Sequence, residues 1–258
     1  MKINRILSFV STVTITLFLI CPICNASESE KLQIEGDRTS KNKIIYLTFD
    51  DGPTRKNTPK ILETLKEEDV PATFFLIGEK IKVYEDVVKE LKDQGMAIGA
   101  HSYSHVTSKI YKSAFNYRED LEKCIDVIKE VTGEEPINIT RMPCGSTNTI
   151  ANINVKREIK KSIKSMGMNY VDWNVSGEDA IYRNVPSNVI WKNIMKNSKD
   201  KDTIVLLLHD GYYNTNTAEL LPKIIKHFKK EGYTFKTMKN MPQDEIESLE
   251  KLRILNRK

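Results

Sequence analysis

Cysteine is scarce in this chain, with four residues in 258, and that scarcity excludes a scaffold built on disulfides. Cys21 and Cys24 fall in the first 26 residues, leaving Cys124 and Cys144, whose pairing the spacing leaves open. No CxxC metal site therefore stands in the rest of the chain. Charge of one sign is also lacking: 40 basic residues face 35 acidic ones, a net +5. Without residues 1–26, which hold Lys2 and Arg5 and no acid, the balance falls to 38 against 35, or +3. That excess is too small to argue for a nucleic-acid partner. Part of it sits at Lys156, Arg157, Lys160, Lys161 and Lys164, which read as the solvated face of a helix.

Long apolar runs are absent but for one, Ile6 to Ile20. Lys2 and Arg5 precede it and Cys24-Asn25-Ala26 follows, the pattern of a secretory signal over residues 1–26. An uncleaved membrane anchor is the alternative, since the run approaches spanning length. Either reading places the protein outside the cytoplasm, secreted or held at the cell envelope. Ile20 before Cys21 and Ile23 before Cys24 argue against a lipoprotein, which needs a small residue there. Residues 27–42 are polar and aperiodic, a linker.

The whole chain is 40% hydrophobic and 29% charged, enough to fold as a globular domain. From Lys43 onward, short apolar runs alternate with helical patterns. Strands are expected at Ile44–Phe49, Thr73–Ile77, Ala97–Ala100, Asn138–Met142, Asn169–Asn174, Thr203–Leu208 and Thr234–Thr237. Helices are expected after Thr58-Pro59, with Thr58 as the cap, and at Val83–Asp93, Phe115–Val131, Val155–Ser165, Val189–Asn197 and Leu220–Lys230. About seven βα repeats over residues 43–239 give an α/β fold with a parallel sheet, closed as a barrel or open. A charged tail, 240–258, follows and is open to helix formation. Asp50-Asp51, His101, Arg141 and His209 each fall at or just after the end of an expected strand. In a barrel those ends share one rim, where active sites are built.

Histidine is the second scarcity. Of four, three (His101, His105 and His209) sit at strand ends, while His227 reads as a helix-surface residue. His101 and His105, four apart, fit one side of a helical turn and can share a metal. Two histidines and one carboxylate leave coordination positions free for water and substrate. Asp50-Asp51 supplies that carboxylate and one more. Neighbours on extended chain point in opposite directions, so one acid can bind metal while the other serves as a base. Such a donor set suits zinc, with cobalt, nickel or manganese as alternatives. A thiol nucleophile at Cys144 paired with His209 is the competing chemistry.

The segments Thr48-Phe49-Asp50-Asp51-Gly52, His101-Ser102-Tyr103-Ser104-His105, Arg141-Met142-Pro143-Cys144-Gly145 and Leu207-Leu208-His209-Asp210 resemble, in order and spacing, the motifs of the polysaccharide deacetylases, the NodB-like carbohydrate esterases. The resemblance implies a distorted (β/α) barrel and hydrolysis of an acetyl group on a glycan. It implies Asp50 as general base, Arg141 orienting it, and Asp51, His101 and His105 as ligands of a divalent metal. His209 would be the general acid. Substrate contacts would come from the Cys144 N–H at the oxyanion, Leu207 at the acetyl group and Trp173.

Two departures stand out. Cys144 replaces an aromatic after Pro143. In Trp173-Asn174-Val175-Ser176-Gly177-Glu178-Asp179-Ala180, Ser176 occupies the place of an acid expected to support the histidine, and Ala180 that of a tryptophan. Asp179 and Asp210 are then the candidates to support His209. The expected function is N-deacetylation of a cell-envelope glycan, peptidoglycan foremost. An O-acetyl esterase acting on xylan, a chitooligosaccharide deacetylase and a catalytically impaired glycan binder are the alternatives.

Overall fold

The computed structural model describes residues 43–258; the signal (1–26) and the linker (27–42) lie outside the described residues. The central strand β1 (Lys43–Asp50) is buried from Ile45 onward. Its alternation splits the core in two. Ile45, Leu47 and Phe49 face a large cluster shared with the helices, whereas Tyr46 faces a second cluster with Phe75, Ala97, Ile139, Val171 and Val205. Thr48 and Asp50 continue the Tyr46 face, so one row of side chains leads along the strand interior to Asp50.

Parallel pairing extends outward from β1. Strands β2 (Thr73–Leu76), β3 (Ala97–Ala100), β6 (Val175–Ser176) and β7 (Thr203–His209) give the order β3-β2-β1-β7-β6. Strand β8 (Tyr233–Lys236) pairs with the first half of β1, below the stretch that pairs with β2. Strands β4 (Ile139–Thr140) and β5 (Asn169–Tyr170) form a separate pair. The Ile137 and Arg141 N–H groups donate to Ile98 and Ala100 carbonyls, bringing β4 to β3. Strands β1 to β7 thus follow chain order round a distorted (β/α) barrel whose ladder lapses between β5 and β6.

The helices are α1 (Thr58–Glu67), α2 (Gly78–Val83), α3 (Glu85–Asp93), α4 (Thr107–Ile110), α5 (Ala114–Thr132), α6 (Ile153–Ser165), α7 (Ser187–Ser198), α8 (Thr215–Lys230) and α9 (Gln243–Lys251). Ser113 caps α5 by accepting from the Asn116 N–H, and Gly133 ends it at φ 72°, the left-handed turn glycine adopts without strain. Thr58 is not the cap expected of it. Asn57 holds that position, and the Thr58 hydroxyl instead accepts from the Thr54 N–H and donates to Asp210. His227 is half-buried, packed edge-on against Trp191 rather than free at the surface. The segment after 239 forms α9 and then a bridge from Leu255 to Val171, with Leu249, Ile254 and Leu255 buried in the Tyr46 cluster.

Candidate active site and metal centre

Register places the first functional pair. Asp50 lies opposite His209 and Thr48 opposite Leu207 on parallel neighbours, so all four share a face at the C-terminal ends of β1 and β7. Asp50 is 3% exposed. Fully buried Arg141 holds it: Nη1 donates to Asp50 Oδ1 at 2.8 Å and to the Thr48 hydroxyl at 2.8 Å. The same guanidinium reaches the Val171 and Asp172 carbonyls at 3.3 Å and stacks 4.5 Å from the Phe75 ring centroid. Asp50 is thereby fixed through one oxygen, with the other facing His101 at 3.8 Å.

Asp51 leaves the strand at φ 72°, left-handed backbone that aspartate tolerates better than most residues. This turn corrects the expectation that extended backbone sends the two acids opposite ways. Both carboxylates converge on His101, and their environments separate them. Gly52 permits the turn: a Cβ there would fall 2.1 Å from Asp210 Oδ2.

His101 and His105 also converge, though not on a helical turn. They sit in an irregular loop after β3 in which Ser102 and His105 are left-handed. The Ser102 hydroxyl accepts from the His105 N–H at 3.0 Å. The Tyr103 and Ser104 N–H groups donate to the Asp120 carboxylate on α5, at 2.6 and 3.1 Å. The imidazole centroids end 5.1 Å apart. His101 Nδ1 lies 2.8 Å from the Arg141 carbonyl, which can only accept, so in the neutral ring Nδ1 carries the proton and Nε2 keeps its lone pair.

Asp51 Oδ1 lies 3.5 Å from His101 Nε2 and 3.3 Å from His105 Nε2. It is enclosed, yet has no hydrogen-bond partner. An orphaned carboxylate oxygen between two imidazole nitrogens, all three donor atoms within 4.8 Å of one another, is the arrangement a divalent cation would satisfy. Burial opposes charge on Asp51, but His101, His209, His105 and Lys80 hold its carboxyl below the usual range. Burial and His101 keep His105 low as well, in its neutral, ligating form. Lys80 on α2 donates to the Asp51 carbonyl at 2.6 Å.

Of the two acids expected to support His209, Asp179 is the one in contact with it. His209 Nδ1 lies 2.8 Å from Asp179 Oδ1, and the His209 N–H donates to Oδ2 of the same carboxylate. Thr217 and Asn214 complete the shell of Asp179, which is 2% exposed. Burial alone would depress the imidazole, but the Asp179 charge and hydrogen bond outweigh it and push His209 up to about 9. Ser176 therefore does not remove the support of the histidine: its hydroxyl accepts from the Glu178 N–H instead. Asp210 serves elsewhere, under the loop after β1. Its carboxylate accepts from Thr58 at 2.5 Å and its carbonyl from Thr54 at 2.8 Å, while burial pushes the carboxyl up to about 7.

The loop after β4 carries Cys144 at φ 63°. Tyr111 anchors it through the Pro143 carbonyl, and Asp172 accepts from both the N–H and hydroxyl of Ser146. Among the described residues the Cys144 N–H has no acceptor. Cys124 is buried and Cys144 exposed, and both are free thiols. Burial and Asp51 raise the Cys144 thiol, the reverse of what a thiolate nucleophile needs. Leu207 is buried on the His209 face, and Trp173 backs the loop at Gly145 while packing on the Tyr46 cluster. Asp120, Asp172, Thr217, Asn214 and Lys80 carried no local sequence signal; they act across long separations.

A sequence profile described as polysaccharide deacetylase matches residues 37–171. The chain belongs to the polysaccharide deacetylase family. Bacillus cereus peptidoglycan-N-acetylglucosamine deacetylase is 32% identical over 219 residues, 81% of this chain and 76% of that protein. Peptidoglycan-N-acetylmuramic acid deacetylase PdaA of Bacillus subtilis is 30% identical over 212 residues, 78% and 72% of the two chains. The catalytic domain of peptidoglycan N-acetylglucosamine deacetylase from Eubacterium rectale superposes with a TM-score of 0.71 at 32% identity, covering 79% of this chain and 92% of that one. As a member of this deacetylase family, the chain is a glycan-directed hydrolase, and the convergent rim is its candidate active site.

Proposed function

We propose that the protein is a metal-dependent hydrolase, exported by its N-terminal segment, that removes N-acetyl groups from peptidoglycan. The observation that carries the metal is the orphaned Asp51 Oδ1 between His101 and His105. A divalent metal bound by these three residues would acidify a coordinated water and polarise the acetyl carbonyl. Asp50, held through one oxygen by Arg141, takes a proton from the attacking water with the other. The Cys144 N–H, without an acceptor of its own, meets charge developing on the carbonyl oxygen. Leu207 lines the space for the acetyl methyl. His209, kept cationic by Asp179, delivers a proton to the departing nitrogen.

That last step separates amide from ester. An amine cannot leave as an anion, whereas an alcohol depends less on protonation, so a strongly supported His209 favours the N-acetyl substrate. Two relatives named for peptidoglycan deacetylation support the polymer. No observation favours the impaired binder, because Asp50 and His209 both keep their partners. The test is acetate release from N-acetylated peptidoglycan and from acetylated xylan, with and without chelator. Release from peptidoglycan that chelator abolishes is expected; release from xylan alone would overturn the amide assignment.

A further inference from the structure

Two loops flank His209, and both expose side chains the reaction does not use. After Asp179, Ile181 is 62% and Tyr182 53% exposed; after His209, Tyr212 is 61% and Tyr213 41% exposed. Contiguous aromatic exposure of this kind marks a contact surface. The tyrosine pair is ordered edge to face, with centroids 5.3 Å apart. Arg183 lies over Tyr213 at 4.6 Å, and Lys56 over Tyr212 at 4.8 Å. Among the described residues neither cation meets a carboxylate. The patch adjoins the site through backbone: a Cβ on Gly211 would stand 3.7 Å from Asp51 Cβ. The Asn214 amide ties the loops together through the Asp179 carbonyl at 2.8 Å, and Asn57 ties them to the first through the Gly211 carbonyl at 2.6 Å.

Sugar rings stack on aromatic faces, and a carboxylate is the natural partner of a guanidinium fork. Stacking on Tyr213 holds Arg183 in place, with no acceptor for its N–H donors among the described residues, so little entropy is lost when they bind. We propose that Tyr212, Tyr213 and Arg183 form a subsite beside His209 for a carboxylate-bearing unit of the glycan strand, with Lys56 adding charge. The inference rests on the deacetylase reading above and narrows its substrate to acidic strands. The carboxylate could belong to the sugar itself, as a lactyl ether, or to a peptide stem attached to it.

Calorimetric titration of the full chain tests this with three strands of equal length. One is a neutral N-acetylglucosamine oligomer, one carries free lactyl carboxylates, and one carries peptide stems. An acidic strand is expected to bind about tenfold tighter than the neutral one at low salt, the preference shrinking as salt rises. Arg183→Gln should erase that preference without changing affinity for the neutral strand, and Arg183→Lys should keep part of it. Tyr213→Ala should weaken all three. Preference for lactyl carboxylates assigns the contact to the sugar, and preference for stems alone assigns it to the peptide. Equal binding of all three strands, or a preference that survives Arg183→Gln with the unfolding temperature unchanged, overturns the proposal. Binding is read without turnover. Preference without acetate release would therefore sink only the deacetylase reading, and release without preference only the subsite.

Discussion

Asp50 and Asp51 carry the same side chain on adjacent residues, and only their surroundings divide the labour. Asp50 is pinned by Arg141 inside the barrel, while Asp51 turns left-handed over the rim to meet two imidazoles. Asp50→Asn should therefore lower acetate release by about 10²–10⁴-fold while leaving bound metal unchanged; parallel loss of metal would show that the two acids are not separate. Asp179 holds His209 at the other side of the site. With His209 raised to about 9, its protonated, donating form persists through neutral pH and is lost above that value. Asp179→Asn removes the raising charge, so the alkaline limb of kcat should move to lower pH, by about 1–3 units. An unmoved limb would contradict the assignment of His209 as the acid.

The elements explain why some of this was legible and some was not. Asp50, His101, Arg141 and His209 announce themselves because rare, reactive side chains recur at strand ends. Asp120 and Asp172 do not, because each acts on backbone in another loop, and nothing near them in the sequence marks it. The sequence pattern predicts a strand over Asn169–Asn174, yet only Asn169–Tyr170 pairs with β4. Apolar pattern reports burial, whereas pairing needs a neighbour in register, and the ring lapses there. Thr58 likewise has the residue type of a cap, but its hydroxyl serves Asp210 instead. Thr58→Val should destabilise the fold by about 1–3 kcal/mol. Asp210 is raised to about 7, so it is neutral in the fold below that pH and charged above it. The lost hydrogen bond matters more to the charged form, and the destabilisation should grow between pH 6 and pH 8 in denaturant melts. Equal loss at both pH values would place the effect elsewhere.

At the scale of the whole molecule, the C-terminal segment is joined by a hydrogen bond to a residue that supports the site. The segment after 239 buries Leu249, Ile254 and Leu255 at the end opposite the site. Its Ile254 carbonyl also accepts from the N–H of Asp172, whose carboxylate holds the Cys144 loop through Ser146. Leu249→Ala should cost about 2–5 kcal/mol in unfolding free energy, and a loss below 1 kcal/mol would mean that α9 is only loosely packed. The site itself rests on one claim, that Asp51, His101 and His105 hold a metal on which deacetylation depends. The most direct test strips the protein with chelator, returns zinc in fractions of an equivalent, and reads bound metal and acetate from peptidoglycan in the same samples. Acetate release should rise in step with bound zinc to one per chain, and His101→Ala should abolish both together. Full release from metal-free protein, or zinc bound at one per chain with no acetate formed, would contradict the account.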